Sequence, residues 1–144
     1  MVIVLDASVA IKWYFPEKGS DAAIDLLKSS GNDFVAPDIF VVEVAAALVR
    51  KANMEKAKRD DTLILLDDFL GLVFDQVVQT RTLSVGSARQ ASRLAIDLGH
   101  PLKDCVYLAL AMDLNCPLIT SDIKFAAKAH GVWHAVQVLG EVAG

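Results

Sequence analysis

Val2-Ile3-Val4-Leu5-Asp6 is a run of four apolar residues that stops on an acid. A run this short and this uniformly apolar is the pattern of a strand buried on both faces, as inside a parallel sheet. Leu118-Ile119-Thr120-Ser121-Asp122 has the same form near the other end of the chain: a strand over Pro117–Thr120, then an acid two residues on. Between and around them, apolar periodicity and end signals predict helices over Ser8–Tyr14, Ser20–Ser29, Pro37–Ala52, Glu55–Leu70, Ser84–Leu98, Leu102–Leu114 and Asp122–His130. Further strands are expected over Phe34–Ala36, Leu72–Val78 and Trp133–Leu139. Short apolar strands alternating with helices give an α/β fold: a three-layer α/β/α sandwich with a mainly parallel central sheet. In such sheets the ligand site lies beyond the carboxyl ends of the strands, at the point where strand order reverses. Chain direction alone therefore puts Asp6 and Asp122 at the site end.

The 144 residues fit one compact domain. The hydrophobic share of 54% is high for a soluble domain, usually about 45–50%. Yet the longest apolar stretch, Ile39 to Val49, is interrupted by Glu43 and falls short of the roughly 18–20 residues a membrane span needs. Met1–Leu5 lacks the length and basic flank of a signal peptide. A soluble, cytoplasmic protein with an apolar core and an apolar interface is expected. Cys105 and Cys116 fall in or beside one helix, about 16 Å apart, too far for a disulfide, and free buried thiols suit a reducing compartment. The net charge of −4 disfavours a passive nucleic-acid binder but not an enzyme that meets phosphate through bound cations.

Asp60, Asp61, Asp67 and Asp68 lie in a mixed helix and read as solvated surface. Four other acids stand in apolar surroundings. Asp6 is equally placed to cap the helix that follows it, a role Ser8 can share. Glu43 lies in a helix that is apolar nearly all round and so reads as buried; a buried carboxylate needs a metal or an ion pair. Asp104 sits in a first helical turn, where the helix dipole already favours an acid, with Lys103 beside it. Asp122 is again a candidate N-cap. Singly, most have an ordinary explanation. Together they do not: two unit charges about 4 Å apart repel by about 4 kcal/mol at an effective dielectric of about 20. An oxygen-only cluster of this kind suits a hard divalent cation, Mg²⁺ or Mn²⁺.

Leu5-Asp6-Ala7-Ser8-Val9-Ala10-Ile11-Lys12-Trp13, Ala36-Pro37-Asp38 with Glu43-Val44, His100-Pro101-Leu102-Lys103-Asp104 leading into Tyr107-Leu108-Ala109-Leu110-Ala111, and Leu118-Ile119-Thr120-Ser121-Asp122 follow one another in this order. Together they resemble a PIN domain, and in length and spacing most nearly the VapC-type toxins of prokaryotic toxin–antitoxin pairs. The resemblance covers nearly the whole chain and implies that residues 1–144 form a single PIN-like nuclease domain. It implies a Mg²⁺- or Mn²⁺-dependent endoribonuclease that hydrolyses RNA phosphodiester bonds, forms a homodimer and is inhibited by a cognate VapB-type antitoxin. The family's acids carry over onto Asp6, Glu43, Asp104 and Asp122, both as catalytic residues and as metal ligands. Ser8 and Thr120 match hydroxyl positions near the family's site. Cys105 and Lys103 depart from it, standing where Ala and an aromatic residue are commoner. On this reading Asp6 and Asp122 are the best direct ligands and Asp104 completes the shell. Glu43 acts through water or orients the attacking water. Lys12 and Lys103 are candidates for phosphate contact, while His100, His130 and His134 are taken as structural. Other readings use the same acids: a PIN-fold RNA-processing nuclease outside any toxin pair, or an inert RNA- or partner-binding module. A phosphoaspartate receiver is disfavoured, since Asp6 has no acidic neighbour and no lysine follows the last strand.

Overall fold

The structure, a computed structural model, describes residues 1–140, so the last four residues of the expected domain lie outside it. Five strands form one parallel sheet: β1 (Val2–Leu5), β2 (Asp33–Pro37), β3 (Val78–Arg81), β4 (Leu118–Thr120) and β5 (Val136–Val138), in the spatial order β3-β2-β1-β4-β5. The chain moves outward from β1 to β3 on one side, then crosses back to β4 and β5 on the other. Strand order therefore reverses between β1 and β4, whose ends lead to Asp6 and Asp122.

The helices are α1 (Ala7–Ile11), α2 (Ser20–Lys28), α3 (Ile39–Met54), α4 (Arg59–Phe74), α5 (Val85–Leu98), α6 (Leu102–Leu114) and α7 (Ile123–Ala129), with a single 3-10 turn at Lys56–Lys58. Right-handed crossovers put α1 to α4 on one face of the sheet and α5 to α7 on the other. Packing agrees: α1 lies on α3 and α3 on α4, whereas α5 lies on α6, which rests against β1, β2 and β4. The inner strands are buried as their apolar runs require, with Val4, Leu5, Leu118 and Ile119 removed from solvent. α6 is buried along Cys105–Ala109 and at Ala111, making it the central helix of its layer.

Three expectations fail. The apolar run Leu72-Val73-Phe74 does not begin a strand. It completes α4, and the chain turns at Asp75-Gln76, with Gln76 in the left-handed region at φ 60°, before β3 starts at Val78. A short apolar run has no period of its own with which to choose between helix and strand. Nor is α3 buried all round. It buries Phe40, Val44 and Leu48, but Val42 is 69% exposed and Val49 50%. On α4, Ile64 and Phe74 are exposed too, so the α3–α4 hairpin carries an apolar outer surface that nothing in the described residues covers. The final strand is also shorter than expected: Trp133 lies before it and donates its indole N–H to the Cys116 carbonyl at 3.1 Å. Cys105 and Cys116 are both free and buried, and burial pushes the Cys105 thiol up to about 11, so it stays protonated. Among the described residues no helix is long and apolar enough to cross a membrane.

The two faces of α3 are told apart by mutation. Phe40 packs against Phe69 of α4 with ring centroids 5.6 Å apart. Phe40→Ala is expected to cost about 3–5 kcal/mol in urea unfolding, and Val42→Ser less than about 0.5 kcal/mol in the dilute protein. Equal costs would contradict the half-exposed helix.

Candidate functional site

Asp6 leaves β1 as the residue that caps α1, with extended backbone (φ −73°, ψ 146°), and it is buried to 3% exposure. Its side chain does not cap the helix. Instead Oδ2 accepts two hydroxyl hydrogen bonds, from Thr120 Oγ1 at 2.6 Å and from Ser8 Oγ at 2.9 Å. The same hydroxyls hold the end of β4: Ser121 N donates to Ser8 Oγ and Asp122 N to Thr120 Oγ1, each at 3.1 Å. The hydroxyl positions expected near the site are thus engaged with Asp6 and the β4 backbone. Thr120 is wholly buried, so it does not reach a substrate.

Asp122 is the N-cap of α7, and its Oδ1 accepts from Phe125 N at 3.0 Å. Glu43, on the second turn of α3, is half-buried; its Oε1 accepts from the Tyr107 hydroxyl at 2.7 Å. Burial, reinforced by the Glu43 charge, holds the Tyr107 hydroxyl well above its ordinary range, so it remains a donor. Glu43 Oε2 also lies 3.7 Å from Lys103 Nζ, an exposed and therefore weak pair. Asp104 is in the first turn of α6, where its Oδ2 meets His100 Nε2 at 2.6 Å.

Asp6, Ser8, Glu43, Lys103, Asp104 and Asp122 line one open groove of about 330 Å³, together with Arg50. Lys12 does not line it. Its ammonium pairs with Glu17 at 3.2 Å and donates to the Lys18 carbonyl at 2.8 Å. Three more side chains stand at or beside the groove: His100, which reads as structural from sequence, and Tyr107 and Arg50, to which the sequence assigns no role. His100 stands four residues before Asp104, a spacing that lets two side chains meet once Gly99 has ended α5 in the left-handed region (φ 61°) and Pro101 has started α6. Tyr107 follows Asp104 by three residues on α6, and Arg50 follows Glu43 by seven on α3, both helical same-face spacings. Those spacings are common on any helix, so they identify a site only when the acids are already placed.

One oxygen of each acid is held by a protein donor: Asp6 Oδ2, Glu43 Oε1, Asp104 Oδ2 and Asp122 Oδ1. The other oxygen of each carries no hydrogen bond among the described residues. Ligand atoms of His100, Asp104 and Asp122 can all lie within 4.8 Å of one another. Burial pushes the Asp6 carboxyl up to about 6; Thr120 and Ser8 pull it down, while Asp104 and Glu43 push it further up. Asp6 thus feels the neighbouring acids as charge. The group of His100, Asp104 and Asp122 includes neither Asp6 nor Glu43, which share the groove with Asp104 and Asp122. Carboxylate oxygens left open along one groove and mutually repulsive form a donor set that fits a hard divalent cation.

The raised pKa of Asp6 sets a pH signature. The folded protein holds this proton more tightly than the unfolded chain, so the contribution to stability is complete below about pH 4 and is lost as pH rises through about 6. The loss is on the order of 3 kcal/mol. In Asp6→Asn the amide oxygen still accepts from Ser8 and Thr120, but the charge is gone. In EDTA the variant is expected to gain on wild type by about that amount between about pH 4 and about pH 7.5, measured by urea unfolding. A constant gap across the range would show that Asp6 carries no such strain.

The fold has many counterparts. The VapBC2 complex of Rickettsia felis bound to a fragment of its promoter DNA is similar over 96% of this chain and 98% of its own, with TM-score 0.63 and 20% identity. PAE2754 of Pyrobaculum aerophilum has TM-score 0.69 and 16% identity over 96% of this chain and 90% of its own. VapBC-5 of Mycobacterium tuberculosis, a member of the VapBC family of toxin–antitoxin systems, has TM-score 0.60 and 22% identity over 96% and 97%. No curated protein sequence matches the chain significantly. The sequence model of the PIN domain matches residues 3–131, a span that contains all four acids, and the chain accordingly belongs to the PIN domain family.

Proposed function

We propose that the protein is a divalent-cation-dependent endoribonuclease, one domain over residues 1–144, and the toxin of a type II toxin–antitoxin pair. The observation that carries the chemistry is the groove in which four carboxylates each have one oxygen held, and the other oxygens of Asp6, Asp104 and Asp122 meet no donor among the described residues. Asp6, Asp104 and Asp122 would hold Mg²⁺ or Mn²⁺. A cation bound there polarises a phosphoryl oxygen and lowers the pKa of water.

The chain's own residues do the rest. Ser8 and Thr120 fix the Asp6 carboxylate, so that it meets a cation without reorganising. Glu43, aimed by Tyr107, is the acid best placed to orient water or accept its proton. Lys103 and the exposed Arg50 bring positive charge to a groove that is otherwise acidic, and a polyanionic backbone entering it would meet them first. Lys12, engaged with Glu17, is left out of this role.

The partner reading rests on likeness. Solved neighbours of the fold include VapBC complexes and a toxin–antitoxin complex from Klebsiella pneumoniae. A VapB-type antitoxin is the inhibitor we propose here. The exposed apolar surface of α3 and α4, with Val42, Val49, Ile64 and Phe74, supports a homodimer.

Purified protein freed of any partner is expected to cleave RNA with Mg²⁺ or Mn²⁺ and to stop in EDTA. Asp104→Asn and Asp122→Asn should each reduce cleavage by more than about 100-fold, beyond the usual cost of losing a ligand's hydrogen-bond partner. Full cleavage in EDTA would remove the metal mechanism. Expression without a co-encoded antitoxin should arrest growth, and the Asp122→Asn variant should not. Harmless wild-type expression would remove the toxin role while leaving the nuclease to be judged by the cleavage assay.

A further inference from the structure

His100 lies between two elements that each supply an acid to the groove. Its Nε2 is 2.6 Å from Asp104 Oδ2. Its ring stacks on Phe125 of α7, with centroids 4.8 Å apart and planes at 29°. Its other nitrogen, Nδ1, faces Lys128 Nζ at 3.5 Å, and that ammonium also donates to the Gly99 carbonyl at 3.1 Å.

An ammonium can only donate. A carboxylate can only accept, so Nε2 carries the proton that it donates to Asp104. The opposite tautomer would set an N–H against an ammonium and a lone pair against a carboxylate. The imidazole thus brings Asp104 a donor. It fixes Oδ2 and leaves Oδ1 open. Phe125 couples this to a second acid, because its backbone N–H holds Asp122 Oδ1 while its ring carries His100.

We propose that His100 is a positioning residue: held by Phe125 and Lys128, it aims the Asp104 carboxylate into the groove and is not itself a ligand. The proposal rests on the cation-binding reading above and adds to it a residue outside the acid set. Hydrogen-bond partners of metal ligands commonly alter affinity about 10–100-fold when lost.

The test is Mn²⁺ titrated into metal-free wild type, His100→Phe and His100→Gln, followed by the electron spin resonance of the free ion. His100→Phe keeps a ring on Phe125 and removes the donor, and it should weaken Mn²⁺ binding about 10–100-fold. His100→Gln carries an amide donor to about the reach of Nε2 and should recover most of that loss. Nitrogen-15 spectra of metal-free wild type should show His100 with its proton on Nε2. His100→Phe binding like wild type overturns the proposal. So does His100→Gln binding no better than His100→Phe, which would make His100 a ligand, and so does an Nε2 without a proton. The tautomer measurement needs no variant and decides the matter if His100→Phe fails to fold. Wild type that binds no Mn²⁺ overturns the cation reading and this role together, an outcome distinct from wild type and His100→Phe binding alike.

Discussion

A carboxylate buried between two strand ends governs the architecture of the groove. Asp6 follows β1, and its Oδ2 is gripped by Ser8 from α1 and by Thr120 from β4. Burial alone would cost several kcal/mol without compensating hydrogen bonds. The two hydroxyls supply them, and each accepts in turn from the backbone beyond β4. One small network therefore settles three matters at once. It stabilises a buried acid, it joins the strands where the sheet order reverses, and it sets the backbone that presents Asp122.

The other acids repeat this division of labour with different donors. A tyrosine hydroxyl holds Glu43, an imidazole Asp104, and a backbone N–H Asp122. None of these donors is a strong, fully matched cation. Arginine would neutralise the acids it held; the hydroxyl and backbone N–H donors orient Asp6, Glu43 and Asp122 and leave their charge standing. The single cationic contact, Lys103 to Glu43 at 3.7 Å, is largely solvent-exposed and correspondingly weak. The result is a set of carboxylates oriented but not neutralised, which in the metal-free protein repel one another. The Asp6 carboxyl is raised chiefly by burial, and the charges of Asp104 and Glu43 add to it.

Much of this was legible in the sequence because the strands are buried on both faces. Val2–Leu5 and Leu118–Thr120 have to be apolar throughout, so an acid directly after each stands out against its surroundings. That is why Asp6 and Asp122 are found by chain direction and the sheet class follows from the same runs. Glu43 was found for a partly mistaken reason. Its helix is apolar all round not because it is buried but because its outer face is uncovered, as Val42 and Val49 show. The Leu72–Phe74 run misled because three apolar residues fit either a helix end or a strand start. His100 was passed over because its meaning lies in a partner from α7: four residues from Asp104 is an ordinary helical interval until Phe125 and Lys128 fix the ring. Lys12 looked available for phosphate only because Glu17, five residues on, lies beyond the reach of any helical or strand pattern.

The central claim is that each of the four acids is held by one oxygen, and that the free oxygens of Asp6, Asp104 and Asp122 receive a divalent cation. Anomalous diffraction from crystals grown with Mn²⁺ tests it directly. The account expects a manganese peak in the groove in contact with Asp6 Oδ1, Asp104 Oδ1 and Asp122 Oδ2, with Oδ2 of Asp6 still on Ser8 and Thr120 and Oδ2 of Asp104 still on His100. Manganese bound through His100 Nε2, or through carboxylate oxygens turned away from their present donors, or absent from the groove while bound elsewhere on the chain, would contradict it.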